Sequence, residues 1–283
     1  MNKYLALIIL LIILLTAVPT KACVGARALG MGGAFIVPAD NSSAVYWNQA
    51  GLTEIDGHQL SYTRLLNNRK QVNYDDFFAL AGNFSRINLG YGLFHVREDF
   101  VYYQEDGINE TGYQRWYGLA LARQLGDDFA LGTAARLVRH QEENDYSDAE
   151  PEIDTDLSLG IDLSARYQIT EQLLVGVLIQ NIRNTEFELE QGDFTYGTRF
   201  RPGMSYQVTD FWQLAFSVYD FKDFRYQLGT ELNLNDTLYI RGGSYLDNPT
   251  VGFGLEIRGL RVDYAWLGGD LAGSNLLEVS YQF

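Results

Sequence analysis

The feature that most constrains this chain is an alternation of apolar and polar residues that begins near residue 57 and continues to the last residue. The segment 157–166 reads LSLGIDLSAR and the segment 277–283 reads LEVSYQF, so every second side chain is apolar. Successive side chains of a β-strand point to opposite faces, whereas one face of a helix recurs every three or four residues. The alternation therefore predicts that residues 57–283 form strands with one apolar and one polar face.

The lengths of the alternating segments distinguish a membrane-spanning sheet from a soluble one. They run for about 10 to 14 residues, which suits tilted membrane-spanning strands, whereas strands of globular proteins usually have five or six residues. Aromatic residues collect at the segment ends, as at Phe84, Tyr167, Trp212 and Tyr281, which is typical of the aromatic girdles at membrane interfaces. The fourteen predicted strands are 57–66, 73–84, 86–97, 112–124, 128–140, 155–168, 172–183, 195–208, 210–220, 223–234, 236–245, 250–258, 260–268 and 274–283.

The connections between these segments predict how the strands are arranged. Six even-numbered strands, from the second to the twelfth, are each followed by a turn of one to three residues, and the long connections at 98–111, 141–154 and 184–194 all follow odd-numbered strands. Single-chain outer-membrane barrels have an even number of strands, short periplasmic turns and longer outside loops. The sequence therefore predicts an all-β fold, a closed antiparallel transmembrane β-barrel of about fourteen strands, in the bacterial outer membrane with both termini in the periplasm.

The first 22 residues have the pattern of a signal peptide. One lysine precedes an unbroken apolar run over 5–15, and a small residue, Ala22, ends a plausible cleavage site. The run is too short to span a bilayer as a helix, although an uncleaved anchor is the alternative. Cys23, the only cysteine, follows the predicted cleavage site and cannot form an internal disulfide. Whether Cys23 is lipidated stays open, because the residue three positions before it is not apolar.

Residues 23–56 interrupt the alternation and are rich in small residues. Small residues allow tight turns and close approach of the backbone, so we predict that 23–56 is a compact plug inside the lumen of the barrel 57–283. The run Gly30-x-Gly32-Gly33 lacks the lysine and hydroxyl residue of a phosphate-binding loop. This segment therefore does not predict a nucleotide site.

Two charges in the predicted plug need partners if they lie in the lumen, because an unpaired buried charge is costly. We expect Arg27 and Asp40 to be buried there and paired with each other or with charges of the barrel wall. The candidate wall charges are Arg166, Glu231 and Arg258.

The stretch from Gly25 to Leu52 resembles the N-terminal signature of the FadL-type and PorV/PorQ-like outer-membrane β-barrel proteins. The family pattern is Gly-x-Arg-x-x-Gly-Met-Gly-Gly, then Ala-Asp, then Trp-Asn-Pro-Ala-Gly-Leu, and Gln49 stands where the family has proline. The matching residues are Gly25, Arg27, Gly30, Met31, Gly32, Gly33, Ala39, Asp40, Trp47, Asn48, Ala50, Gly51 and Leu52.

The resemblance implies a fourteen-stranded barrel whose lumen is closed by an N-terminal hatch. In the FadL-type branch such barrels transport hydrophobic small molecules, which leave sideways through the wall. In the PorV/PorQ-like branch the barrel is instead a protein-interaction component of secretion or surface assembly, with a secreted protein as partner. Uptake or binding of a hydrophobic ligand is the leading expectation, and the secretion role is the alternative.

Two further groups of residues are candidate functional residues. Small residues and one aromatic residue on the predicted inward face could line an apolar pocket beside the plug, or the glycines could only accommodate the plug. The final Tyr281 and Phe283 are typical of barrels that the barrel assembly machinery inserts among outer-membrane lipids. The candidate pocket residues are Gly90, Gly92, Phe94, Ala120, Gly160 and Gly176.

Residue types that carry catalysis or metal binding are sparse in this sequence. His58, His95 and His140 lie on separate predicted strands without ligand spacing, and the acidic run within 142–156, assigned mainly to a loop, does not fit the EF-hand template. The formal net charge of −15 disfavours nucleic acid as a partner. The sequence therefore predicts a protein that is not an enzyme and needs no cofactor.

Overall fold

The computed structural model describes residues 24–67, 74–103, 109–145, 152–188, 194–221, 224–269 and 274–283. The predicted signal peptide and Cys23 lie outside these residues. None of the helices in the described ranges is long and apolar enough to cross a membrane.

Within the described residues, fourteen antiparallel strands close into a barrel, so the predicted fold is confirmed. Each strand pairs with its neighbour in the chain, and the first strand pairs with the last, where His58 N donates to Phe283 O at 3.0 Å. Closure leaves no unpaired strand edge, which an open sheet would expose to lipid. The wall strands are β1 (His58–Asn67), β2 (Tyr74–Phe84), β3 (Leu89–Tyr103), β4 (Asn109–Gln124), β5 (Phe129–Asp145), β6 (Glu152–Gln168), β7 (Leu173–Gln180), β10 (Arg199–Thr209), β11 (Trp212–Asp220), β12 (Arg225–Leu234), β13 (Leu238–Tyr245), β14 (Asn248–Ile257), β15 (Leu260–Leu267) and β16 (Ser274–Gln282).

Every predicted strand corresponds to one strand of the wall, but several are longer than predicted. β5 and β6 each have 17 residues and continue into the region predicted as an acidic loop. Glu142 lies opposite Asp154 in the ladder, so the assignment of these acidic residues to a loop was wrong. The two ends of the barrel differ, and we call them the short-turn end, which holds both barrel termini, and the long-loop end.

The alternation places apolar side chains outside and small or polar side chains inside. On β6, Leu157, Leu159 and Leu163 are exposed, whereas Asp162 and Ser164 are buried. The apolar outward residues of β6 run from Leu157 to Tyr167, and ten residue steps of about 3.3 Å, tilted by about 40°, give an apolar band about 25 Å tall. This height matches the hydrocarbon-facing band of transmembrane barrels.

The N-terminal segment lies inside the lumen, which confirms the predicted plug. It contains two short helices, α1 (Ala26–Gly30) and α2 (Ala44–Trp47), followed by a 3-10 helix (Gln49–Glu54). Its apolar residues are buried against the small inward residues of the wall, such as Ala79, Ala120 and Ala265. A second 3-10 helix, Ser85–Ile87, forms the turn between β2 and β3.

The connection between β7 and β10 forms a hairpin of two short strands, β8 (Thr185–Phe187) and β9 (Phe194–Tyr196). Thr185 and Phe187 are buried, so the hairpin packs against the barrel instead of extending into solvent. The sequence predicted a loop at 184–194 followed directly by a wall strand from 195, and that start was wrong because β10 begins at Arg199. We call β8 and β9 the lid hairpin.

Candidate functional site

The glycines of the plug signature bring the plug backbone against the wall. Gly32 and Gly33 have φ values of +63° and +71°, a conformation that other residues rarely adopt. A Cβ on Gly32 would lie 2.5 Å from Ser244 N, and one on Gly33 would lie 2.7 Å from the ring of Tyr245. The backbone therefore turns here at a point where the wall leaves no room for a side chain.

The other signature residues hold the plug together. Trp47 Nε1 donates to Val24 O at 2.9 Å, and Asn48 Nδ2 donates to Ile36 O at 2.7 Å. Asn48 Oδ1 also accepts from Ala50 N at 3.1 Å and so caps the 3-10 helix. The remaining members pack closely: Gly25 against Ser43, Gly30 against Gly252, Gly51 against Ala39, and buried Leu52 against Gly90.

Arg27 joins the plug to the wall through two carboxylates. Its side chain pairs with Asp40 of the plug and with Glu231 of β12, where the nearer Nη2–Oε1 distance is 2.8 Å. Burial by itself would lower the pKa of Arg27, but Asp40 and Glu231 outweigh burial and raise this pKa well above its ordinary value. The predicted pairing of Arg27 is confirmed, whereas the predicted burial of Asp40 was wrong because 44% of its side chain is exposed.

Glu231 continues this ion pair into a network along the wall. Arg241 Nε lies 2.5 Å from Glu231 Oε2, and Arg241 Nη1 lies 2.7 Å from Asp263 Oδ1. The other two expected wall partners do not contact Arg27 or Asp40. Arg166 lies 3.8 Å from Glu54, and Arg258 is exposed in the turn after β14, so neither completes the network.

The plug occupies the space beside most of the candidate pocket residues. A Cβ on Gly90 would lie 2.8 Å from Leu52, and one on Gly92 would lie closer still to Val45. Gly176 faces Asn48, while Phe94 and Ala120 are buried. Gly160 lies elsewhere, where an added Cβ would be 3.1 Å from Oγ1 of Thr185 in the lid hairpin. At Gly90 and Gly92 the missing side chains leave room for the plug.

A column of aromatic rings connects the plug with the lid hairpin. Tyr46 and Trp47 of α2 lie 5.5 Å apart between centroids, and Tyr46 lies 6.3 Å from Trp116 of β4. Trp116 lies 6.0 Å from Tyr196, which lies 6.0 Å from Phe187. We call these five residues the aromatic column. Aromatic π faces favour stacked or edge-on contacts with other rings, so the column is a surface suited to an aromatic solute.

Two buried guanidinium groups flank the aromatic column. Arg201 of β10 lies over Trp47, with its Cζ 5.4 Å from the ring centroid, and Arg136 of β5 lies 5.1 Å from the centroid of Trp116. Arg136 pairs with Asp162 at 2.8 Å. Arg201 is buried, yet its Nε and Nη2 atoms have no hydrogen-bond partner in the described part of the chain. Arg201 therefore presents unused donors beside an aromatic surface.

The lid hairpin is held by polar contacts to the wall. Tyr196 Oη donates to Gln114 Oε1 at 2.8 Å, and Glu188 N donates to Asp156 Oδ2 at 2.8 Å. Burial raises the pKa of Tyr196, so its hydroxyl remains a donor at neutral pH. These contacts, together with buried Phe187, hold the hairpin so that Tyr196 and Phe187 form the end of the aromatic column farthest from the plug.

The opposite, short-turn end of the lumen is polar. A cavity of about 330 Å³ lies there between the plug and the wall, and polar and charged side chains dominate its lining. Its lining includes Arg27, Asp40, Glu231, Glu256 and Arg261. The lumen is thus aromatic at the long-loop end and charged at the short-turn end, with the plug between them.

Comparison with solved structures shows which fold this arrangement belongs to. The chain is similar to the monoaromatic hydrocarbon channel CymD, with a TM-score of 0.68 and 14% identity over 95% of this chain and 98% of that one. It is similar to the toluene transporter TbuX of Ralstonia pickettii, with a TM-score of 0.68 and 12% identity over 94% and 99% of the two chains. A FadL homologue of Pseudomonas aeruginosa gives 0.67 and 12% over 95% and 99%.

This chain has the FadL-type barrel fold. The resemblance that the N-terminal signature predicted is thereby confirmed at the level of the fold.

Sequence comparison supplies one further similarity. Residues 97–234, which include β4 to β12 with the lid hairpin, match the family model described as "Putative MetA-pathway of phenol degradation". No curated protein matches the sequence significantly.

The residues of this FadL-type barrel that lie between the plug and the lid hairpin were not predicted from the sequence. Gln114 and Trp116 come from β4, Arg201 comes from the distant strand β10, and Tyr196 comes from a strand of three residues. The apolar–polar alternation does predict that the side chains of Gln114, Trp116 and Arg201 point into the lumen, because all three lie on the inward face of their strands. The histidines do not form a shared site, since His58 contacts Tyr91 and His140 contacts Gln114.

Proposed function

We propose that this chain is an outer-membrane channel for the uptake of small aromatic compounds, with the long-loop end outside the cell and both termini in the periplasm. Its fold supports this role, since CymD is a monoaromatic hydrocarbon channel and TbuX is a toluene transporter. The family description for residues 97–234 refers to phenol degradation. The apolar band about 25 Å tall suits the outer membrane.

The observation that carries this proposal is the aromatic column. Its rings lie 5.5 to 6.3 Å apart, so they fill the space between plug and lid with π surface. A planar aromatic solute can replace ring–ring contacts with equivalent contacts of its own. Because Tyr196 and Phe187 belong to the lid hairpin, outward movement of the lid opens the column to a solute.

The guanidinium of Arg201 indicates the class of solute. A toluene-like solute gains only ring contacts, whereas a phenol-like solute also places an oxygen acceptor near the unused Nε and Nη2 donors. Hydrogen bonds to a charged donor are worth about 1.5–3 kcal/mol. The proposed solute is therefore a small aromatic compound with an oxygen substituent.

The exit proposed for this solute is through the barrel wall. The charged cavity at the short-turn end is a poor path for an apolar solute. An apolar depression of about 480 Å³ lies on the outer face over β6, β7 and β10, and its lining includes Tyr167, Gly176, Pro202 and Met204. Pro202 lacks a backbone donor for the strand ladder, which makes this part of the wall a favourable place for lateral exit.

The remaining sequence-based assignments complete the proposal. Residues 1–22 are a signal peptide that is removed, 23–56 are the plug, and 57–283 are the barrel. Exposed Tyr281 and Phe283 lie in the closing strand region and serve as the signal to the barrel assembly machinery. Gly90 and Gly92 leave room for the plug. The proposed ligand pocket therefore lies nearer the long-loop end, at the aromatic column.

The proposal is tested by measuring binding of phenol and of toluene to the purified barrel by tryptophan fluorescence. Both solutes are expected to bind, and Arg201→Met is expected to weaken phenol binding at least about tenfold while changing toluene binding less than about twofold. Arg123→Met is the control, because Arg123 is exposed on the outer face. If the wild-type barrel binds neither solute, the protein-interaction alternative becomes the leading function.

A further inference from the structure

Four arginines form a cluster on the outward face of the barrel near the long-loop end. Arg97 lies opposite Arg115 in the β3–β4 ladder, and Arg115 lies opposite Arg139 in the β4–β5 ladder. Arg64 joins them through Asp76, which lies opposite both Arg64 and Arg97. We call Arg64, Arg97, Arg115 and Arg139 the arginine row.

On each strand the arginine directly follows the apolar outward band. The outward residue one step nearer the short-turn end is Tyr62 on β1, His95 on β3, Tyr117 on β4 and Leu137 on β5. Tyr117 and Leu137 are exposed on the outer face. Two residues along a strand correspond to about 7 Å, so the guanidinium groups lie at the boundary between the apolar band and the polar headgroup region.

The row carries more positive charge than its own acidic neighbours neutralise. Asp76 lies 3.6 Å from Arg64, and Asp99 pairs with both Arg97 and Arg115. Arg139 donates to the neutral side chain of Gln141 at 3.2 Å. A groove of about 290 Å³ separates Arg115 from Arg139, and its lining also contains Tyr113, Gln141 and Glu143. In a chain of net charge −15, this is a local excess of guanidinium groups.

We propose that the arginine row binds the phosphate groups of an outer-leaflet glycolipid. The inference rests on the proposed orientation, which places the long-loop end in the outer leaflet. Guanidinium groups bind phosphate oxygens through pairs of parallel hydrogen bonds, and Arg115 and Arg139 stand on either side of a groove that admits such a group. The tyrosines and leucines below the row contact the acyl chains of the same lipid.

The test measures retention of a glucosamine glycolipid with two phosphates on the purified full-length barrel in detergent, by native mass spectrometry. The double variant Arg115→Gln/Arg139→Gln is expected to retain at least about tenfold less of this lipid than the wild type. Arg123→Gln, another exposed outward arginine but at the short-turn end of β4, is expected to match the wild type. Heat-modifiable electrophoretic mobility verifies that each variant is folded.

Two further arms define the ligand chemistry. The same glycolipid without phosphates is expected to bind no better to the wild type than to the double variant, and millimolar inorganic phosphate is expected not to displace the phosphorylated lipid. Equal retention by the wild type and the folded double variant would overturn the proposal, as would displacement by inorganic phosphate. Phenol binding by the same variants is expected to be unchanged, so failure of the lipid site is distinguishable from failure of the proposed transport function.

Discussion

At the scale of single residues, Arg27 is the connection between plug and barrel. It lies between Asp40 of its own segment and Glu231 of the wall, and its Cζ is also 5.2 Å from the ring centroid of Phe35. Because both carboxylates raise the pKa of Arg27, the side chain stays charged at any physiological pH. The plug is therefore anchored by an ion pair that ordinary changes of pH do not release.

Replacing Arg27 is expected to loosen the plug. Arg27→Ala leaves Glu231 without its plug partner, and breaking a buried pair in this way costs about 3–5 kcal/mol. We expect a higher single-channel conductance in planar bilayers and faster hydrogen exchange over residues 24–56 than in the wild type.

The matched control is Asp40→Asn, which removes the other partner of Arg27. The Asp40 side chain is 44% exposed, so its loss is expected to cost no more than about 1 kcal/mol and to leave the conductance close to that of the wild type. Wild-type conductance and exchange in Arg27→Ala would mean that other contacts of the plug suffice to hold it.

The residue types explain which of these contacts could be predicted. A charge inside the lumen needs a partner, and that requirement alone was sufficient to expect Arg27 to pair with Asp40 or Glu231. The exposure of Asp40 depends on how the plug is oriented relative to the cavity at the short-turn end, which no local pattern encodes. Arg201 meets Trp47 and Tyr219 only because the barrel closes around the plug.

At the scale of elements, the wall strands were predictable and the lid hairpin was not. Each wall strand has at least eight residues, so the two-residue period repeats often enough to be recognised. β8 and β9 have three residues each, which is too short for any period. The bounds of β3 to β6 were predicted too short because polar residues interrupt the apolar face where the strands extend toward the long-loop end.

The lid hairpin is expected to open when its buried aromatic residue is removed. Phe187 packs against Val138, Trp116 and Tyr196, and a Phe→Ala substitution in a packed core costs about 3–5 kcal/mol. That loss exceeds the contribution of the Tyr196–Gln114 hydrogen bond, about 1 kcal/mol. Phe187→Ala is therefore expected to speed hydrogen exchange in β8 and β9 and to increase the association rate of phenol.

Glu186→Ala provides the comparison for the lid, because Glu186 is exposed on the same strand between two buried residues. It is expected to leave both the exchange rates and the association rate unchanged. An unaltered association rate in Phe187→Ala, despite faster exchange in the hairpin, would show that the lid does not control access to the aromatic column.

At the scale of the whole molecule, the two ends of the barrel have different chemistry. The long-loop end has the aromatic column, the lid hairpin and the arginine row, whereas the short-turn end has the charged cavity and both termini of the barrel. In the proposed function, an apolar solute that enters at the column meets the plug and then a charged region, so an exit through the wall is favoured over passage along the lumen. A solute from outside reaches the column first only when the long-loop end faces the outside of the cell.

Tag insertion tests that orientation directly. Tags placed beside Asn109, at the start of β4, and near Asp148, outside the described residues, belong to the long-loop end, whereas tags in the turns at Gly126 and Asp236 belong to the short-turn end. In intact cells an antibody is expected to label the first pair, and to label the second pair only after the outer membrane is permeabilised. Outer-membrane barrels have short periplasmic turns and longer outside loops, which is the physical basis of this expectation.

Each tagged protein must first retain heat-modifiable mobility, because an unfolded barrel has no defined topology. Labelling of the tags at Gly126 and Asp236 in intact cells, without labelling of the other two, would reverse the orientation and place the aromatic column at the periplasmic end, where it could not receive a solute from outside.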